Sequence, residues 1–210
     1  IDYTAGTSYN NQFYAKNYRK LGGTPNDVLV YGDQMYIVVT DDNTVEVVNA
    51  KTLQSIKQIK LTELMGTDKG AMPRHITADN GLIYVSTYGS SSADWTNYTT
   101  SGNGYVAAID TLTYSLKQTY TAGSYPEGVA VANGILVVAN SDYSMGTKAS
   151  ISVINLQTGN QQTITDSKIL NPTAVATTGS SIYVLDMGNY YDVAGGIRYI
   201  SANGNISTLF

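Results

Sequence analysis

The stretch PEGVAVANGILVVAN, residues 126–140, decides the fold. Two apolar runs, residues 129–132 and 135–139, flank the dipeptide Asn133-Gly134. Asn and Gly tolerate the positive φ angles of a tight type I′ turn, so this arrangement predicts a β-hairpin. The second run is almost continuously apolar and partly β-branched, which is typical of a strand covered on both faces.

The same order of features recurs four times along the chain. Each repeat opens on one of the four prolines, Pro25, Pro73, Pro126 and Pro172, which lie about 50 residues apart. After the proline come an apolar strand, a polar turn and a second, stronger strand. A variable loop, a third strand ending in Asn, Asp or Ser, and a more polar fourth strand follow. Lys in fourth strands suits an outer edge, where charge discourages pairing with another chain.

Four strands per repeat, with the most apolar strand inside and the most polar outside, predict the blade of a β-propeller. We therefore predict an all-β chain, a single β-propeller domain over residues 1–210, built from four-stranded antiparallel blades. The predicted blades are residues 22–66, 67–122, 123–168 and 169–210. A helix is expected only as one turn within residues 61–72.

Residues 1–21 are predicted to be the outer strands of a further, shared blade. Residues 1–3 resemble the end of a third strand, and residues 12–16 resemble a fourth strand. The chain is thus expected to hold about four and a half blades of a larger ring, either cut at both ends or completed by another copy. The alternative is a four-bladed ring in which the first twenty residues form an extra edge. An open ring exposes sheet edges and apolar blade faces, so self-association is expected.

Composition excludes several classes of function. The net charge of −4 argues against nucleic-acid binding, which needs a clustered basic surface. No run approaches 18 consecutive apolar residues, so no membrane-spanning segment is expected. The absence of Cys excludes disulfides and Cys-based zinc sites. With a single His and no nucleophile elbow, a Ser-His-Asp triad is not expected, and nothing indicates a cofactor.

The repeated unit resembles that of the YVTN or YncE-like propellers. The shared pattern is Pro, an apolar strand, Asn-Gly, a Tyr-Val-type strand and a third strand of the Val-x-Val-Ile-Asp type. Residues 11–22 and Pro73-Arg74-His75-Ile76 are similar to a subset, the surface lipoprotein propellers of gut bacteria, some of which capture cobalamin. The resemblance implies a bacterial exported or surface-layer-like protein, periplasmic or on the cell surface, with a ring of usually seven blades.

A recognition surface is expected on the long loops joining second to third strands in blades 2 to 4. These loops combine aromatic residues, which give rigid contact area, with small polar residues, which give adaptable hydrogen bonds. They indicate a non-catalytic module that binds a small molecule (for instance a cobalamin-like one), a glycan or a surface protein. The alternative is that Tyr-rich loops only solubilise the surface. The predicted ligand-binding residues are Tyr88, Asp94, Trp95, Tyr98, Asp142, Tyr143, Tyr190, Tyr191, Asp192 and Arg74.

Two other functions remain open from the sequence. Asp27, His75 and Glu127 follow their prolines directly and, together with Arg74, are expected to converge at the mouth of the central channel. Metal-dependent lactonase or lyase propellers place carboxylates and a His there, for metal binding or proton transfer. Blade 4 has only Thr and Ala at this position, so only three of the four blades supply a candidate group. The third possibility is an architectural surface-layer element.

Overall fold

The computed structural model describes residues 4–90, 102–141, 149–189, 191–201 and 205–209. Within these residues, sixteen strands form four antiparallel sheets of four strands each. Blade 1 contains β1 (Pro25–Tyr31), β2 (Gln34–Val39), β3 (Thr44–Asn49) and β4 (Ser55–Lys60). Blade 2 contains β5 (Pro73–Asp79), β6 (Leu82–Thr87), β7 (Tyr105–Asp110) and β8 (Leu116–Thr121).

The last two sheets follow the same order. Blade 3 contains β9 (Pro126–Ala132), β10 (Ile135–Asn140), β11 (Ser150–Asn155) and β12 (Gln161–Ile164). Blade 4 contains β13 (Pro172–Thr177), β14 (Ile182–Gly188), β15 (Ala194–Ile200) and β16 (Ile206–Thr208). In every sheet the spatial order of the strands is their order in the chain. The prediction of an all-β chain of four-stranded antiparallel propeller blades is confirmed.

The turn chemistry explains why each blade starts as a tight hairpin. Asn133 and Gly134 both adopt positive φ angles, 50° and 74°, as the predicted type I′ turn requires. Asn80 and Gly81 do the same between β5 and β6, with φ angles of 48° and 77°. These turns set the register of the two innermost strands and hence the face on which each apolar side chain lies.

The core consists of apolar layers between successive blades. The face of a blade toward the preceding blade is termed its front face, and the opposite face its back face. Between blades 1 and 2, Tyr36, Val38 and Val45 pack on Ile76, Ile83 and Val85. Between blades 2 and 3, Tyr84, Val106 and Ala108 pack on Val129, Leu136 and Val138. Between blades 3 and 4, Val137, Ala139 and Ile151 pack on Ile182, Val184 and Ile200.

Two short helices interrupt the strands. Helix α2 (Leu61–Met65) follows β4 and agrees with the single turn expected within residues 61–72. Helix α1 (Gln12–Asn17) shows that the predicted outer strand at residues 12–16 is wrong. This segment lacks β-branched residues and contains Ala15 and Lys16, which favour a helix. Residues 1–3, the other half of the predicted shared blade, lie outside the described residues.

The segment around α1 is fixed to blade 1 by two polar side chains. Asn17 donates to the carbonyl of Leu53 at 2.9 Å and accepts from the amide of Ser55 at 2.7 Å. Arg19 reaches the front face, where its Nη2 lies 2.6 Å from Oε1 of the fully buried Glu46. The segment therefore covers the outer part of this face without adding a strand to the sheet. None of the described helices is long and apolar enough to cross a lipid bilayer.

Candidate functional site

The candidate site lies at the end of the blades where the four innermost strands begin, termed the loop end. Each of these strands opens on a proline, which suits a first strand position because proline has no N–H to pair. The loops joining second to third strands reach the same end, since neighbouring strands run antiparallel. Both loop sets named in the sequence analysis therefore meet here.

A β-bulge lies beside each of these prolines. A bulge adds one residue to one strand of a pair and changes the direction of the side chains beside it. The register shifts fall at Pro25/Asp27, Pro73/Ile76, Val138/Asn140 and Pro172/Ala174. In blades 1 to 3 the residues after the proline are polar or charged, so the bulges bring charged side chains of neighbouring blades together.

Asp27 and His75 connect the innermost strands of blades 1 and 2. Oδ2 of Asp27 lies 3.1 Å from Nδ1 of His75 and accepts the backbone amide of Ile76 at 3.0 Å. The other carboxylate oxygen accepts the amide of Val28 at 2.8 Å. The Asp27 carboxylate is thus fixed by its own strand and by the neighbouring one.

Glu127 joins the same group from blade 3. Its Oε2 lies 3.3 Å from Nε2 of His75 and 3.1 Å from Nε of Arg74, while its Oε1 accepts the hydroxyl of Tyr88. The carboxylate side chain is 3% exposed, so these contacts replace the water it would otherwise bind. Asp27, Arg74, His75, Tyr88 and Glu127 are termed the loop-end cluster. The convergence predicted for the charged residues after the prolines is observed.

Tyr88 lies inside the protein and not on an open loop surface. It is 1% exposed, its ring meets that of Tyr125 edge to face at 5.0 Å, and the Arg74 guanidinium lies 5.0 Å from its centroid. Edge-to-face rings and a cation over a ring face are both favourable geometries. Tyr88 directly follows β6 and precedes the long loop of blade 2. Its ring packs on Tyr125, the residue before the first strand of blade 3. Tyr88 therefore packs against Arg74 and Glu127 from inside the protein.

The two groups that remain partly open to solvent are Asp27 and His75. Their side chains are 29% and 32% exposed, against 20% for Arg74. Burial alone would lower the pKa of His75, but the hydrogen bonds to Asp27 and Glu127 and the charges of both carboxylates raise it to about 9. Burial alone would raise the pKa of Asp27, but the bonds from His75 and two backbone amides hold it below its usual value. At neutral pH the pair is an imidazolium and a carboxylate.

This charge state limits the chemistry of the cluster. A protonated His75 with a carboxylate at each ring nitrogen has no lone pair with which to accept a proton or bind a metal ion. Among the described residues, no group of three His, Asp or Glu side chains is arranged to hold a metal ion. What the cluster offers outward is a rigid pair of opposite charges, in which the Asp27 carboxylate can accept a hydrogen bond from a polar ligand group.

The loop of blade 4 supplies an exposed aromatic residue at the loop end. Strand β14 ends at Gly188 and β15 begins at Ala194, so residues 189–193 join the two strands. Oδ1 of Asn189 accepts the amides of Tyr191, Asp192 and Val193 at 3.0–3.2 Å, and Asn189 Nδ2 donates to Asp192. This Asx turn fixes the backbone while Tyr191 stays 84% exposed.

The remaining predicted ligand-binding residues lie outside the described residues. They are Asp94, Trp95, Tyr98, Asp142, Tyr143 and Tyr190. Of the ten residues predicted to bind a ligand, the structure therefore places Arg74, Tyr88, Tyr191 and Asp192. The first two belong to the loop-end cluster and the last two to the exposed loop of blade 4.

Sequence reasoning missed the polar residue that joins blades 2 and 3 beneath the cluster. The hydroxyl of Ser86 donates to the carbonyl of Glu127 at 2.8 Å and accepts the amide of His75 at 3.0 Å. It is fully buried in β6. The available signal was a serine inside an otherwise apolar, doubly covered strand, where a hydroxyl needs a specific partner.

Solved structures confirm the fold assignment. No protein family matches the chain, and no curated protein sequence matches it. The chain is similar to Kuenenia stuttgartiensis hydrazine synthase, with 19% identity and a TM-score of 0.62 over 89% of this chain and 54% of that one. The fold is that of a β-propeller. At this identity the likeness concerns the fold alone.

Two WD40 structures give the same result. The Neurospora crassa Pan2 WD40 domain matches at 13% identity and a TM-score of 0.58, over 87% of this chain and 51% of that one. The RRP9 WD40 repeats match at 10% identity and a TM-score of 0.66, over 91% and 52%. The chain thus spans about half the length of each solved propeller named here.

Proposed function

We propose that this chain is a non-catalytic binding propeller of a bacterial exported or cell-surface protein, related to the YncE-like propellers, with the loop end as its recognition surface. The coarse role agrees with the fold, since propellers of the WD40 type serve as binding or scaffold modules. The main support for the proposal is the environment of His75, whose side chain is one-third exposed yet has a carboxylate at each ring nitrogen. Such a side chain stays protonated near neutral pH and presents its positive charge in a fixed position.

The loop of blade 4 supports the same proposal. Tyr191 offers an almost fully exposed ring on a backbone held by Asn189, so a ligand that stacks on it orders little additional chain. In this proposal Asp27 supplies a hydrogen-bond acceptor, His75 supplies a fixed positive charge beside it, and Tyr191 supplies an apolar contact. The proposal also assigns ligand contacts to Trp95, Tyr98 and Tyr143, which lie outside the described residues.

Titration calorimetry with cyanocobalamin and a glycan array test this proposal, because cobalamin follows from the resemblance and a glycan from the aromatic and polar residues of the loops. Fluorescence adds a local signal, since Trp95 is the single Trp of the chain. Binding by a member of either set is expected to weaken about tenfold in Tyr191→Ala, the loss of one stacking contact. Tyr18→Ala is the matched control, because Tyr18 is equally exposed at 85% and follows α1, away from the loop end.

Two results contradict the proposal. If neither ligand set binds or changes the Trp95 fluorescence, the architectural alternative replaces it. If binding occurs but falls equally in Tyr191→Ala and Tyr18→Ala, the loop end is not the recognition surface.

The metal-dependent enzyme remains the second candidate, because Asp27, His75 and Glu127 do meet at one point. It requires His75 to lose one ring proton and to free that ring nitrogen from its carboxylate before it can act as a base or ligand. Inductively coupled plasma mass spectrometry measures the metal bound to the purified chain after dialysis against Zn²⁺ or Ca²⁺, and so tests the enzyme candidate directly. One equivalent of metal lost in Glu127→Gln favours the enzyme, and no bound metal removes it.

A further inference from the structure

Blades 1 and 4 each expose one face of the kind that is buried wherever two described blades meet. On the front face of blade 1, Val28 and Val30 are 58% and 57% exposed. On the back face of blade 4, Tyr183, Leu185 and Met187 are 39%, 45% and 40% exposed. Exposed apolar side chains clustered in this way indicate an interaction surface and not an ordinary solvent-facing one.

Position within the repeat shows what these faces are built to contact. Val28 is the third residue after its proline, and the third residues of blades 2 and 3, Ile76 and Val129, are only 7% and 8% exposed against the preceding blade. Tyr183 corresponds by register to Tyr36 and Tyr84, which are 0% and 3% exposed against the following blade. The occupant that fits each exposed face is therefore another propeller blade.

The two faces are complementary and not alike. All three contacts between described blades join a back face to a front face. The back face of blade 4 holds an apolar depression of about 210 Å³, lined by small residues such as Ala174 and Ala176 together with Leu185. The front face of blade 1 presents the short branched side chains of Val28 and Val30.

Charge does not oppose such a contact. Glu46 is the acidic residue on the front face of blade 1, and it is fully buried beneath Arg19 at 2.6 Å, with Ser55 also donating to it. The Arg19 contact leaves the carboxylate paired, so covering the face further desolvates no free charge. The N-terminal segment lies on the outer strands and leaves the innermost strand β1 open.

We propose that two copies of this chain assemble head to tail, each packing the back face of its blade 4 on the front face of the other's blade 1. The two exposed faces match the back and front faces that pack on each other between the described blades, so a second copy supplies an occupant for each of them. A pair with two identical back-to-front junctions closes on itself and leaves neither apolar face exposed. This inference is independent of the proposed ligand-binding role.

Light scattering coupled to size-exclusion chromatography measures the assembly. The chain is expected to elute with twice its mass of 22.5 kDa over a wide range of concentration. Val28→Asp and Leu185→Asp are each expected to give the monomer, because either one places a charge in both junctions. Leu112→Asp is the control, since Leu112 is 86% exposed in the turn after β7, away from both faces, and this variant is expected to remain a dimer.

Crosslinking tests the head-to-tail geometry with milder changes. The chain contains no Cys, so Val28→Cys and Leu185→Cys each introduce a single thiol. A short bismaleimide is expected to crosslink a mixture of the two variants and neither variant alone, because each junction joins residue 185 of one copy to residue 28 of the other. A monomeric chain, a series of larger assemblies, or crosslinking of one variant with itself would overturn the proposal.

Discussion

Nδ1 of His75 lies 3.1 Å from Oδ2 of Asp27, and this contact joins the innermost strands of two adjacent blades at the loop end. The same carboxylate oxygen accepts the amide of Ile76 at 3.0 Å. One side chain of β1 therefore binds both the backbone and the side chain of β5. Packing of blade 1 on blade 2 is coupled to the ionisation of His75 as a result.

Stability is predicted to fall as the pH rises toward 9. Folding raises the pKa of His75 from 6.5 to about 9, so the folded protein holds a proton that the unfolded chain releases above pH 6.5. The contribution is complete below pH 6.5 and is lost by about pH 9. Asp27 acts in the opposite range: its pKa lies below 3.8 in the folded protein, so its contribution is lost in acid. Urea unfolding followed by circular dichroism between pH 5 and 9 checks this.

His75→Gln is the control for the pH dependence. Gln keeps a polar side chain but does not titrate, so the fall in the urea midpoint between pH 6.5 and 9 is expected to flatten. Tyr36 and Tyr84, whose burial raises their pKa values to about 12, do not interfere below pH 9. An unchanged slope in His75→Gln would show that another group carries the effect.

Glu127→Ala is predicted to lower the free energy of unfolding by about 3 kcal/mol. The carboxylate is 3% exposed and binds Arg74, His75 and Tyr88, so its removal takes one anion from the two cations and the acceptor from the Tyr88 hydroxyl. Guanidinium unfolding measures the loss. Glu63→Ala is the matched control, because Glu63 is 70% exposed and pairs with Lys60 on the surface, a contact worth about 0.5 kcal/mol at most. Equal losses in the two variants would contradict the central position of Glu127.

The spacing of turns made the blades predictable, while the contacts between blades were less so. Asn-Gly pairs and proline positions are local signals that fix hairpins within a few residues. The meeting of Asp27, His75 and Glu127 was also predictable, because equivalent positions of a repeat reach the same end of the ring. Their ionisation was not, since it depends on distances of about 3 Å set by the bulges.

The wrong strand at residues 12–16 has a physical cause. The Gln-Phe-Tyr-Ala-Lys segment carries aromatic residues that suit a strand, yet Ala15 and the missing β-branched residues allow a helix. Long-range bonds from Asn17 and Arg19 to blade 1 accompany the helix, and no local pattern announces them. The burial of Tyr88 was not predicted for a related reason: residues at the end of a strand and in the loop after it look alike in sequence.

Arg19→Ala is predicted to release the N-terminal segment from blade 1. Arg19 pairs with the fully buried Glu46 and lies 4.9 Å from the centroid of the Phe13 ring, so the variant loses both contacts. A charge-assisted hydrogen bond of this kind contributes about 2 kcal/mol. Chymotrypsin, which cuts after aromatic residues, is expected to cleave at Phe13 and Tyr18 several times faster than in the parent chain.

Lys16→Ala serves as the control for this cleavage. Lys16 is exposed on α1, and its loss removes a charge without removing a contact to blade 1. Cleavage at the parental rate is expected. If Arg19→Ala is cleaved no faster than Lys16→Ala, the ion pair with Glu46 does not hold the segment in place.

Asp186 is predicted to be more sensitive to Ala than to Asn. It is fully buried and accepts the amides of Leu170 at 2.8 Å, Asn171 at 3.2 Å and Gly188 at 2.8 Å, which fixes the chain as it enters blade 4. Asp186→Ala leaves these amides without an acceptor and is expected to cost about 3 kcal/mol.

Blade 3 shows why Asn is tolerated at this place. Asn140 pairs with Pro126 as Asp186 pairs with Pro172, and its Oδ1 accepts the amide of Gly123 at 2.9 Å. An Asn side chain therefore already performs this role once in the chain. Asp186→Asn keeps one acceptor oxygen but loses the charge and the second acceptor oxygen, so it is expected to lose about 1 kcal/mol. Asp192→Ala, in the exposed loop of blade 4, is expected to unfold like the parent chain. Urea unfolding should show the largest loss in Asp186→Ala, a smaller loss in Asp186→Asn and none in Asp192→Ala. A loss in Asp186→Asn as large as in Asp186→Ala would show that one acceptor oxygen at this place is not enough to hold the entrance to blade 4.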